Sequence, residues 1–127
     1  MDRLKVMVTK GLRGRTDPEA YHKRCISAVL DYYTARKELV EILTYQGVSN
    51  TFDGSTTQKR LVGLGNTLIH EVAQADVIVF MDDWHHYDGC IVEHLIALRY
   101  GIPIVYLSSE GERFGMQDEL VDIDYRA

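Results

Sequence analysis

The residues with the most chemical capacity lie close together, in Asp82-Asp83-Trp84-His85-His86-Tyr87-Asp88-Gly89-Cys90-Ile91-Val92-Glu93-His94. Glu93 falls on the first turn of an expected helix, where the positive end of the helix dipole favours an ionised, nucleophilic carboxylate. Taken by itself, its type and position favour the plainer reading, an ordinary residue for a helix N-terminus. Asp82 and Asp83 are acids available for proton transfer, although such residues often only solvate a loop. Trp84 and Tyr87 offer rings that stack on a base, and Trp84 would also serve to cap a hydrophobic core. Gly89 sits where a backbone approaches a ligand closely. His85, His86 and His94 raise the question of a metal. Adjacent histidines in a loop point in different directions and no H-x-x-x-H or H-x-H pair occurs, so no metal site is expected. Cys90 stands near a helix start, where a thiol can acidify. No histidine pairs with it in the chain, so packing is its expected role.

A second constellation is Gly11-Leu12-Arg13-Gly14-Arg15-Thr16. Gly11 and Gly14 would let backbone N–H groups approach an anion, Arg13 and Arg15 would fork its oxygens, and a helix follows directly. A solvated basic loop is the plain alternative. Neither G-x-x-x-x-G-K-[ST] nor G-x-G-x-x-G is present, so no P-loop or dinucleotide cofactor is implied.

These segments must be held by regular elements. Leu4 to Val8 alternates around β-favouring residues and is expected to be a first strand. Asp17-Pro18-Glu19 starts a helix, with Asp as cap and Pro at the first helical position. The helical pattern then runs to Gln46, with a break near Tyr33-Thr34 as an option and Gly47 as the cap. Val48 to Phe52 is expected to be a short second strand, and Asp53-Gly54-Ser55 a turn. Thr57 to Ala73 reads as a second helix. Asp76 to Met81 is an unbroken apolar run, suited to a strand buried on both faces. Cys90 to Tyr100 reads as a third helix closed by Gly101, Ile102 to Leu107 as another strand, and Phe114 to Asp122 as a short terminal helix. Strands alternating with helices predict an α/β domain: an open, flavodoxin- or Rossmann-like parallel sheet of 4–5 strands with helices on both faces, over one domain of residues 1–127. In such sheets ligands lie beyond the carboxyl ends of the strands, which brings the loops after the first and central strands together.

Composition narrows the function classes. The 127 residues carry 14 Lys+Arg against 19 Asp+Glu, a formal net charge of −5, which argues against stable nucleic-acid binding. Cys25 and Cys90 are too few and too far apart for a disulfide framework and fit a reducing cytoplasm. No segment approaches the ~20 apolar residues of a membrane span.

The run Ala75-Asp76-Val77-Ile78-Val79-Phe80-Met81, then Trp84, Gly89-Cys90, Glu93-His94, Ala97 and Gly101-Ile102-Pro103-Ile104 resembles the nucleoside 2-deoxyribosyltransferase-like superfamily. The likeness is closest to its small bacterial and phage branch, and the superfamily also holds deoxynucleoside monophosphate N-glycosidases. It covers roughly residues 66 to 107. The resemblance implies that Glu93 attacks C1′ of the sugar, that the base leaves, and that water or a second base resolves the glycosyl-enzyme, as in a retaining glycosidase. Where active members of the family usually carry an Asp in the helix before the A-D strand, this chain has Leu68, with Asn66 and His70 as the nearest polar groups. The family's Ser before the Gly is Tyr87 here.

Together these readings predict an enzyme that hydrolyses or transfers at the N-glycosidic bond of a (deoxy)nucleotide or nucleoside. Glu93 would be the nucleophile and Asp82 or Asp83 the proton donor. Gly11, Arg13, Gly14 and Arg15 would hold a 5′-phosphate, and Trp84, Tyr87 and Gly89 the base or sugar. No cofactor is expected, and a homo-oligomer (a dimer or small ring) is. The alternative is a non-catalytic nucleotide-binding module or sensor on the same fold.

Overall fold

Alternation in the first strand sets the layers. Residues 2–44 and 54–115 are described by a computed structural model. In β1 (Leu4–Thr9), Val6 and Val8 face one side of the sheet, while Met7 faces the other. The first helix, α1 (Pro18–Ala35), starts as expected: the Asp17 side chain accepts from Ala20 N at 3.1 Å and Pro18 follows it. Its Tyr21, Cys25, Ala28, Val29 and Tyr33 pack on the Val6/Val8 face.

The chain departs from the expected long helix at this point. Tyr33 O accepts from both Arg36 N and Glu38 N, and Lys37 adopts a left-handed conformation (φ 59°) that turns the chain out of the helix. Val40–Ile42 is therefore a strand, β2, paired in parallel with β1 from Leu4↔Val40 to Val6↔Ile42. Helical spacing carried the pattern through to Gln46 because Val40 and Leu43 fit it, and no glycine marked the stop. The strand expected at Val48–Phe52 lies outside the described residues, as does all but the start of the helix expected from Phe114.

The second helix, α2 (Thr56–His70), opens with a reciprocal cap. Ser55 Oγ accepts from Gln58 N, and the Gln58 side chain accepts from Ser55 N at 2.7 Å. A 3-10 turn, Val72–Gln74, then leads into β3 (Val77–Phe80). Asp76 aligns that strand, because its carboxylate accepts from Lys5 N at 2.8 Å while its own N–H donates to Lys5 O. The third helix, α3 (Asp88–Tyr100), ends at Gly101 in the left-handed conformation (φ 70°), as its sequence predicts. It feeds β4 (Ile104–Tyr106).

Among the described residues the sheet has four strands, all parallel, in the order β2-β1-β3-β4. Cys90 and Ala97 of α3 and Leu68 of α2 pack on the face formed by Met7, Ile78 and Phe80. Helices thus cover both faces, and the expected α/β open sheet is the fold. Burying a side chain such as Ile78 or Phe80, both fully enclosed, contributes roughly 1.5–3 kcal/mol. From β1 the chain builds outward to β2 in one direction and then to β3 and β4 in the other. That reversal puts the switch point between the carboxyl ends of β1 and β3. Among the described residues, no helix is long and apolar enough to cross a membrane.

Candidate functional site

A cleft of about 510 Å³ opens at this switch point. The end of β1 and the following loop (Thr9 to Arg13), α2 and the first turns of α3 line it. Glu93 lies in its lining and is 6% exposed. Thr9, the last residue of β1, donates its hydroxyl to Glu93 Oε1 at 2.5 Å and lies 3.2 Å from Cys90 Sγ.

Burial sets the protonation of this site. Glu93 is pushed up to about 7, first by loss of water and further by the charge of Glu71, against the Thr9 hydrogen bond and the Lys10 charge. The expectation of a carboxylate held ionised by the helix dipole is therefore corrected. α3 begins at Asp88, so Glu93 stands in its second turn, and the dipole effect fades beyond the first. Lys10 is lowered by burial, against the charges of Cys25, Glu71, Cys90 and Glu93. Glu71 is raised by burial, against Lys10. Cys90 rises to about 11 by burial, so its thiol stays protonated near neutral pH and packing is its role. Two carboxyl groups thus share the field of the half-buried Lys10.

Of the residues expected at the site, Gly11, Arg13, Tyr87, Gly89 and Glu93 line the cleft. Gly11 is required by close approach, because a Cβ there would lie 2.0 Å from the Tyr87 ring. Tyr87 also donates its hydroxyl to Arg13 O at 3.0 Å and so ties the β1–α1 loop to the start of α3. Gly14 serves a turn instead: Arg15 N donates to Leu12 O, and Gly14 takes φ 82° as the third residue of a type II arrangement. A Cβ on Gly89 would meet nothing within 4 Å, so its bareness opens the cleft rather than relieving a clash.

Besides Gly14, four residues expected in the site stand elsewhere. Trp84 is fully buried, stacked on His94 at 4.1 Å and against Phe80 at 5.1 Å, and its core reading holds. Arg15 is occupied as a strut. Its guanidinium stacks 3.6 Å over Tyr21, donates to Gly11 O at 2.9 Å, and pairs with Asp83 at 3.7 Å. Asp82 accepts from Tyr21 OH at 3.0 Å and from Ser109 N at 2.9 Å. Asp83 is exposed, in a left-handed conformation (φ 65°). Neither aspartate lines the cleft with Glu93, so the expected proton donors latch the loop instead.

Sequence reasoning gave no role to Thr9, Lys10, Arg60, Glu71 or Asp88. Thr9 was findable, since strand alternation puts it on the same side as Met7. Arg60 joins Arg13 in the cleft lining, where Arg15 was expected. Among the described residues, no group of three His, Cys, Asp or Glu side chains has a metal-binding arrangement.

Compared with family models, curated proteins and solved structures, the chain matches none.

Gly89 gives a prediction that separates stability from function. Gly89→Ala should stabilise α3 by up to about 1 kcal/mol and raise the melting temperature by roughly 3 °C, because Ala is the better helix residue and has room. The same methyl narrows the cleft. A thermal melt that falls instead would show that the backbone at Gly89 needs glycine.

Proposed function

We propose that the cleft binds a nucleotide or nucleoside and cleaves its N-glycosidic bond, with Glu93 as nucleophile. The observation that carries this reading is the buried carboxyl group of Glu93 in the lining of a nucleotide-sized cleft, held by Thr9 and bracketed by charge. The resemblance of residues 66 to 107 to deoxyribosyltransferase-like proteins supports the same assignment.

In this mechanism, ionised Glu93 donates an electron pair to C1′. The C1′–N bond breaks, its electrons go to the base, and the base takes up a proton. Solvent reaching the open cleft supplies that proton. Water then attacks the glycosyl ester, releasing the sugar and regenerating the Glu93 carboxylate, with the water's spare proton returning to solvent. Lys10 favours ionised Glu93 through its charge, and Thr9 orients the carboxyl group. Arg13 and Arg60 would hold a 5′-phosphate, and Tyr87 would contact the base or sugar. A homo-oligomer accompanies this reading. The apolar groove of Leu68, Val72, Ile96 and Tyr100 is surface it would cover.

The test is base release from a panel of ribo- and deoxyribonucleoside monophosphates and nucleosides, read by chromatography. Glu93→Gln should lower release by at least a thousandfold, and full activity in that variant would sink the mechanism. A substrate that raises the melting temperature without releasing base would establish the rival reading, a non-catalytic binding module.

A further inference from the structure

A second cleft, of about 560 Å³, lies on the opposite side of the sheet, between α1 and the turn that follows β4. It shares no lining residue with the cleft that contains Glu93. Arg24, Ala28 and Tyr32 fall on one i+4 row of α1, and with Arg36, the residue that caps its C-terminus, form one wall. The other wall is the Ser108–Arg113 turn, which is firmly built. Ser108 Oγ accepts from Glu110 N and Glu112 N, Ser108 N donates to Glu112 O at 2.8 Å, and Gly111 takes φ 88°. Ser109 N anchors this turn to Asp82 at 2.9 Å.

Two guanidinium groups are gathered on Tyr32. Arg36 stacks 3.5 Å over its ring and donates to Tyr32 O at 3.0 Å. Arg113 donates to Tyr32 OH at 2.8 Å, with its guanidinium carbon 5.8 Å from the same ring centroid. Neither arginine is in an ion pair among the described residues. Most chains disperse like charges or pair them with carboxylates, and this one has an acidic excess with which to do so. Instead two guanidiniums with no carboxylate partner among the described residues are both held on Tyr32, each with N–H donors to spare, in the lining of a concave site. Ser27, Asp31 and Glu110 line the remainder and can accept from hydroxyl groups.

We propose that this second cleft binds a small phosphorylated polyhydroxy compound, with its phosphate on Arg36 and Arg113 and its hydroxyls along Ser27, Asp31 and Glu110. The site is independent of any reaction at Glu93. Its contact with Asp82 through Ser109 places the occupant one hydrogen bond from the loop after β3.

The test uses the full chain carrying Arg13→Gln and Arg60→Gln, which removes both arginines of the other cleft. Ribose 5-phosphate is titrated by calorimetry, with inorganic phosphate and ribose as comparison probes. The expected result is saturable binding of ribose 5-phosphate, weaker binding of inorganic phosphate, and none of ribose. Adding Arg113→Gln should weaken binding at least tenfold. Ser27→Glu, at an exposed position that carries no packing, should do the same by repulsion and guards against a folding defect in the arginine variant. Absence of saturable binding, or binding unchanged by both Arg113→Gln and Ser27→Glu, would overturn the proposal. Base release plays no part in this readout, so failure of the glycosidase reading leaves the outcome intact.

Discussion

Glu93→Gln is expected to stabilise the folded chain by about 3 kcal/mol at pH 8 and by almost nothing at pH 4.5 or below. Glu93 moves from an ordinary value of 4.5 to about 7 on folding. The folded state therefore holds a proton that the unfolded state has already released between those values, and stability must fall as pH rises through that window. At about 1.4 kcal/mol per unit, the loss reaches about 3 kcal/mol above pH 7. Gln keeps the shape and still accepts from Thr9, but has no charge to desolvate. The measurement is urea unfolding of both proteins from pH 4.5 to 8. Equal stability differences at every pH would show that the group does not titrate on folding.

His94 makes the comparison sharper. It is fully buried, its Nε2 lies 2.6 Å from Tyr106 OH, and burial lowers it to about 4. Its sign is opposite: the unfolded state takes up a proton below 6.5 while the folded state does not, so stability falls as pH drops from 6.5 towards 4. In the parent chain the two slopes oppose each other between about pH 4.5 and 6.5 and nearly cancel. Removing Glu93 should expose the His94 slope, and the variant's stability should climb with pH across that range. The same ionisation governs the proposed chemistry. A nucleophilic carboxylate must be ionised, so kcat/KM for base release should rise with pH and level off above about 7.

How far the sequence led depended on what each residue's partner was. The strands at Leu4 and Val77, the Asp17 start of α1 and the Gly101 stop of α3 were legible because each is encoded locally, by alternation, apolar runs or caps. That Glu93, Gly89 and Arg13 share one cleft was legible because a parallel sheet sends the loops after β1 and β3 to one place. Trp84 was not, since whether an aromatic ring opening a loop turns in or out depends on the surroundings of Phe80 and His94. Arg15 looked free in the sequence and is engaged by Tyr21, six positions along, and by the backbone of Gly11. The end of α1 was hidden because Lys37, rather than a glycine, takes the left-handed position. The protonation of Glu93 also escaped: residue type and helix position gave the dipole, whereas burial, which outweighs it, belongs to the assembled fold.

The contact between Gly11 and Tyr87 carries the second large effect. Gly11→Ala should destabilise the chain by about 3 kcal/mol, at the upper end of overpacking costs, because the new methyl group would stand inside the space of the Tyr87 ring. The ring has no easy retreat. Its hydroxyl is bound to Arg13 O, and its backbone caps α3, so moving it loosens both the loop that carries Lys10 and the helix that carries Glu93. A double-mutant cycle isolates this cause. Tyr87→Ala alone should cost roughly 1–3 kcal/mol through lost packing and the lost hydrogen bond. In that background, Gly11→Ala should cost almost nothing, giving a coupling of about 2 kcal/mol or more. Additive costs would mean that Gly11 serves the backbone rather than the ring. Strong coupling would show that glycine is held there by a tyrosine far along the chain, and that this contact joins the two loops into one site.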